Sequence, residues 1–150
     1  MINIETIESL QDYVGKTIGI SPWKSIDKKM IQTFAEATYD LQAIHLDASA
    51  ASAAGFNAPI AHGYLLLSLL PYLAQQTYQV SGVTSKINYG LDKCRFVAPV
   101  TEDSQINAEF YLAAVEQVRN GVRLIMDVTV NIKDEPKPAL VARTLALLTY

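Results

Sequence analysis

Ile7, Leu10, Tyr13 and Val14 recur at helical spacing near the start of the chain, and Gly15 follows as a stop, so a short helix is expected there. The next stretch, TIGISPWKSI, alternates loosely and reads as extended, with Pro22 keeping it out of the middle of a sheet. In DKKMIQTFAEATYD, Met30, Ile31, Phe34 and Thr38 share a face behind Asp27, whose carboxylate suits an N-cap. That pattern predicts a second helix. DASAASAAGF predicts another short one, capped by Asp47 or Ser49 and ended at Gly55. NAPIAHG then leads into the most apolar stretch, where a helix is expected from Gly63 to the region of Tyr78.

After Ser81-Gly82 the period changes. VTSKINYG, KCRFVAPV, SQINAEFYLAAVEQV, VRLIMDVTVNI and ALVARTLALLTY are rich in strand-forming residues, with turn signals at Asn120-Gly121 and DEPKP. The C-terminal half therefore reads as an antiparallel meander. Helices first, then one buried helix, then a sheet that must cover it describe an α+β fold in a single domain, 1–150. No internal repeat, low-complexity tract or interdomain linker interrupts it.

The apolar stretch raises the question of a membrane. Residues 48–85 contain no Asp, Glu, Lys or Arg. Yet the run Tyr64–Ala74 holds Ser68 and Pro71 and is flanked by His62 and Gln75-Gln76, and a span needs roughly 18 consecutive apolar residues. A helix apolar all round but this short belongs at the centre of a globular domain.

Composition narrows the class. In 150 residues, 50% are hydrophobic and 18% charged, which describes a compact chain able to bury a core. A net charge of -3 without a Lys or Arg cluster offers no footprint for nucleic acid or an anionic membrane. The single cysteine, Cys94, can close no internal disulfide and reads as a small apolar filler in a strand, consistent with the cytoplasm. MINIETIESL has two glutamates and no basic segment, so it does not read as a signal peptide.

Two short stretches carry candidate chemistry. In TYDLQAIHLD an acid, Asp40, and one of only two histidines, His45, stand five residues apart. On one continuous helix that spacing turns the side chains about 140° away from each other. If the helix ends near Tyr39 and the chain turns through LQAI, both can reach one small space. There a carboxylate and an imidazole can hold a water, one taking its proton while the other delivers one. The alternatives are a cap or surface role for Asp40 and a core hydrogen bond for His45. The second stretch is PIAHGYLLL. Gly63 at the start of a buried helix leaves backbone N–H groups open at the positive end of the helix dipole, as an oxyanion hole requires. Gly63 can equally be a helix hinge, and His62 reads as a structural residue satisfying local backbone groups.

Taken together, FAEATYDLQAIHLDASAASAAGFNAPIAHG resembles the signature of MaoC-like dehydratases, the R-specific enoyl-CoA hydratase or hydratase 2 family, whose pattern is roughly FAxxTGDxNPIHxD followed by a segment ending IAHG. INYGLDKCRFVAPV and the early SPW are similar to the subgroup of nodulation protein N. The resemblance implies a hot-dog fold, a bent antiparallel sheet wrapped around a long central helix, usually in a homodimer. It implies reversible hydration of a trans-2-enoyl-CoA to an R-3-hydroxyacyl-CoA, with Asp40 and His45 as the catalytic pair and the Gly63 N–H on the thioester oxygen. Gln42 stands where the family usually has Asn and could orient substrate or water. No cofactor or metal is implied, coenzyme A being part of the substrate, and the uncharged stretch from Ala48 to Leu70 would receive the acyl chain. Tyr39 replaces the usual Gly, Ala43 the usual Pro, and Leu41 with Ala43 a bulkier pair; these departures would reshape the pocket mouth. A hot-dog thioesterase and a non-catalytic acyl-thioester-binding subunit are the competing expectations.

Overall fold

The computed structural model describes residues Met1–Tyr150. β1 (Ile2–Ile4) leads into a 3-10 helix over Glu8–Tyr13, which buries Leu10 completely and ends just before Gly15 turns with φ 78°. β2 (Lys16–Ile20) and β3 (Lys24–Ser25) follow, interrupted by Pro22, which has no N–H to give to a ladder. α1 (Lys28–Thr38) starts where expected, the Asp27 carboxylate accepting from the Met30 N–H at 2.8 Å. α2 (Ala43–Leu46) and α3 (Ala48–Ala53) are short, and Asp47 caps α3 by accepting from the Ala50 N–H at 2.7 Å.

The helix expected without interruption from Gly63 to Tyr78 is two segments, α4 (Gly63–Ser68) and α5 (Leu70–Thr77). Pro71 is the cause. It cannot donate to the Leu67 carbonyl, and its ring crowds the preceding turn. The chain bridges the break with bonds from Leu69 N–H to Leu65 O at 3.1 Å and from Leu73 N–H to Leu69 O at 3.0 Å. Tyr78 already belongs to β4 (Tyr78–Val80), which pairs in parallel with β1.

The remaining strands are β5 (Ser85–Phe96), β6 (Gln105–Val118), β7 (Gly121–Ile132) and β8 (Leu140–Thr149). VTSKINYG and KCRFVAPV thus contribute to one strand, carried through two register shifts, and not to two. The sheet order is β2-β6-β7-β8-β5, with β3 also on β6. Only β6, β7 and β8 form the expected meander; β5 crosses to the far edge and pairs with β8, Ser85 opposite Thr149 and Phe96 opposite Leu140. Loop length explains the difference. Val118 and Gly121 face each other across Arg119 and Asn120, a turn too tight to join anything but neighbours. The β5–β6 connection, 97–104, is long enough to cross the end of the sheet.

Burial alternates along β7, every second residue from Val122 to Ile132 facing inward, so one face of the bent sheet is apolar. It closes over Leu65, Leu66, Leu70, Leu73 and Ala74 in a continuous core with Phe110, Leu112, Leu124 and Met126. Burying one such leucine stabilises the fold by about 1.5–3 kcal/mol. The expected α+β hot-dog arrangement, a bent antiparallel sheet around a central helix, is what the chain adopts. No helix is long and apolar enough to cross a membrane.

Candidate active site

Three connections converge beside the start of α4. The Ala61 N–H donates to Val100 O at 2.7 Å, the Glu102 N–H to Pro59 O at 2.8 Å, and the Ile60 N–H to Ile44 O at 3.1 Å. The segment before α4 is thereby fixed both to the β5–β6 crossing and to α2.

α1 ends at Thr38, whose hydroxyl donates back to Phe34 O at 2.7 Å. Tyr39 then takes the left-handed conformation, φ 61° and ψ 18°. This is glycine territory at a helix C-terminus, and an L side chain there costs roughly 1–2 kcal/mol. Its ring is 87% exposed and recovers little of that cost by packing. The left-handed turn throws Asp40 off the helix axis, and α2 begins three residues later, so Asp40 and His45 do reach one space. A ligand-type atom from each of Asp40, His45 and His62 lies within 4.8 Å of those of the other two.

His45 is buried, with Nδ1 2.7 Å from Ile60 O. A carbonyl oxygen only accepts, so Nδ1 carries the proton and, in the neutral ring, Nε2 carries the lone pair. Nε2 has no protein partner and is not among the fully enclosed atoms, which leaves it facing accessible space. Asp40 keeps a half-exposed carboxylate. Gln42 donates its amide to Asp40 Oδ1 at 3.0 Å and is the main reason that this carboxyl lies below the usual aspartate range. Partial burial opposes that, and the neighbouring His62, the Gln42 backbone and His45 assist it. One N–H of the Gln42 amide is thus directed to Asp40.

Gly63 opens α4, and neither its N–H nor that of Tyr64 bonds within the chain. Its φ is not positive, which removes the idea of a left-handed hinge. Space is the reason for glycine: a Cβ here would lie 2.8 Å from the Phe96 ring. Phe96, which nothing in its local sequence singled out, packs over this helix end and meets Tyr64 edge-on at 5.5 Å.

His62 is more deeply involved than its local pattern suggested. It is 2% exposed, stacks on His45 with centroids 3.7 Å apart and planes 24° apart, and places Nε2 3.0 Å from Asp40 O. Its Nδ1 is buried without a partner, a condition that costs about 1–3 kcal/mol for a polar group. The three ligand-type residues suit a metal poorly. Stacked rings keep their in-plane lone pairs in two nearly parallel planes, which do not converge on one ion.

A cavity of about 430 Å³ lies between α4, α5 and strands β5 and β8, lined by Leu67, Pro71, Ala74, Tyr89 and Thr144 among others. Asp40, His45 and Gly63 do not line it; Leu67 lies about one helical turn beyond Gly63. The apolar volume thus begins at the end of the expected stretch, since none of Ala48 to Leu66 contributes to it.

Comparison with known proteins places this geometry in context. The family described as MaoC like domain matches residues 9–133. The chain is 41% identical over 146 residues to 3-hydroxyacyl-thioester dehydratase Z of Mycobacterium tuberculosis, covering 97% of each. It is 38% identical over 157 aligned positions to nodulation protein N of Rhizobium meliloti, covering 99% of this chain and 92% of that one. Among solved structures, an (R)-hydratase from A. caviae involved in PHA biosynthesis superposes with a TM-score of 0.73 at 23% identity, over 90% of this chain and 96% of that one. A monoamine oxidase regulatory protein from Archaeoglobus fulgius gives 0.79 at 24% identity, over 99% and 98%. These two likenesses concern the fold alone.

Proposed function

Since this chain belongs to the MaoC-like dehydratase family and is a hydro-lyase, we propose that it catalyses the reversible hydration of a trans-2-enoyl thioester to an R-3-hydroxyacyl thioester. The observation that carries this reading is the meeting of an ionised, amide-held Asp40 with a buried His45 whose free nitrogen is Nε2. In the hydration direction the pair activates one water, whose oxygen adds to Cβ, and a proton is delivered to Cα. As the oxygen adds, and before Cα is protonated, negative charge builds on the thioester oxygen. The Gly63 N–H at the start of α4 is the donor available to it, at the positive end of the helix.

The acyl chain runs from this point along α4 into the 430 Å³ cavity, whose walls are mostly apolar. Coenzyme A enters as part of the substrate, and the chemistry calls on no metal or redox cofactor. The protein works as a homodimer in the cytoplasm. Nucleic acid and membrane have no role in this reading.

Incubation with crotonyl-CoA tests it. Loss of the enoyl absorbance without release of free thiol is expected. Thiol release would mean that water attacks the carbonyl carbon, as in a thioesterase. No change over a series of acyl lengths would leave a binding subunit and overturn the hydratase reading.

A further inference from the structure

The geometry points to His62 as a positioning residue that holds Asp40 and His45 in their working arrangement, an inference that rests on the hydratase reading above. Three observations carry it. His62 Nε2 lies 3.0 Å from Asp40 O, so Nε2 donates and anchors the backbone of a residue that has just left α1 through a strained left-handed Tyr39. The same ring stacks on His45 at 3.7 Å and meets Phe34 at 5.1 Å, which fixes the plane in which His45 presents Nε2. Finally, Nδ1 of this nearly enclosed ring has no partner at all.

Packing alone does not account for an imidazole here. A phenylalanine would fill the site and stack on His45 without leaving an orphaned polar atom, but it could not hold the Asp40 carbonyl. A glutamine would hold the carbonyl and could not stack. Only a flat ring with an N–H on its edge does both, and a buried unsatisfied nitrogen is a defect that calls for a reason. His62 also precedes Gly63 directly as the N-cap residue of α4, a role its backbone carbonyl fills, so its side chain is left to tie the acid and the base together beside the helix start. It touches no reacting atom. Its effect passes through the two residues it holds.

The test compares His62→Phe, which keeps the stack, with His62→Gln, which keeps the donor, using crotonyl-CoA kinetics and thermal midpoints on the same preparations. Each variant is expected to melt near the wild type and to lose about 10- to 100-fold in kcat. KM should move less than about 2-fold, because a misplaced pair loses transition-state stabilisation without losing substrate. Asp40→Asn/His62→Phe should be no slower than Asp40→Asn alone, since His62 acts only through the pair. A folded variant of either kind with wild-type kcat overturns the proposal. The wild-type protein supplies a measurement that does not depend on any variant folding. Imidazole ¹⁵N spectra should show His62 as the Nε2–H tautomer and His45 as the Nδ1–H tautomer, and the opposite tautomer at His62 also overturns it. A wild-type protein that hydrates no enoyl-CoA would instead remove the hydratase reading, while the tautomers would still report whether His62 bonds Asp40.

Discussion

The His45 ring donates from Nδ1 to the Ile60 carbonyl at 2.7 Å, and the Ile60 N–H returns a bond to Ile44 O at 3.1 Å. This reciprocal contact joins α2 to the segment before α4 and assigns the free lone pair of His45 to Nε2. Asp40→Asn and His45→Gln should each lower turnover by at least about 100-fold, the scale of losing general acid-base help. Because the two act on one water, the double variant should be little worse than either single one. Steady-state rates with crotonyl-CoA check this, and full activity in a folded Asp40→Asn would remove Asp40 from the chemistry.

Gln42 holds the Asp40 carboxyl low by donating to the carboxylate, with partial burial working against it. A carboxyl depressed in the folded state favours folding fully above its unfolded pKa, and that contribution disappears as pH falls through the folded value. Activity that needs ionised Asp40 should therefore persist below the pH at which an ordinary aspartate protonates. Gln42→Leu removes the donor, so the acid limb of kcat/KM should move to higher pH. An unmoved acid limb in a folded variant would show that the amide is not what sets it.

Gly63 and Phe96 are in direct steric competition, since a Cβ at 63 would meet the ring at 2.8 Å. Gly63→Val should obstruct the approach of the thioester oxygen to the N–H and suppress hydration by about 100-fold or more, the scale of losing an oxyanion donor, and should also displace Phe96. Adding Phe96→Ala makes room for the valine. The paired variant should regain the thermal midpoint but not the turnover. Recovery of both would mean that Gly63 serves only to accommodate the ring.

β5 is bonded to β8 on one side only, and Ile87, Tyr89 and Leu91 on it are 50%, 58% and 43% exposed. An edge strand that long, carrying bare apolar side chains, invites pairing. The expected cover is a second copy of this chain. Tyr89→Asp with Leu91→Lys should shift the protein from dimer to monomer in light scattering at micromolar concentration. A wild-type monomer under those conditions would contradict the assignment.

Signals that act over a few residues were legible in the sequence. Asp27 and Asp47 cap the helices they precede, Gly15 and Gly55 turn with positive φ just after theirs, and Asn120-Gly121 marks a real hairpin. The break between α4 and α5 was not expected, although its cause, the missing N–H of Pro71, is local chemistry. The order D-x-Q-x-x-H followed by I-A-H-G was enough to bring forward Asp40, Gln42, His45 and Gly63.

Contacts between distant segments were decided only in three dimensions. Nothing in KCRFVAPV says that β5 crosses to β8, because period-2 alternation reports which side chains face the core and not which strand lies alongside. The same holds for the Phe96 ring over Gly63 and for His62, whose partners lie at Phe34, Asp40 and His45. Those contacts exist because the β5–β6 crossing and the turn at Tyr39 bring their segments together, and that closure is set by the cooperative packing of the whole sheet around its helix.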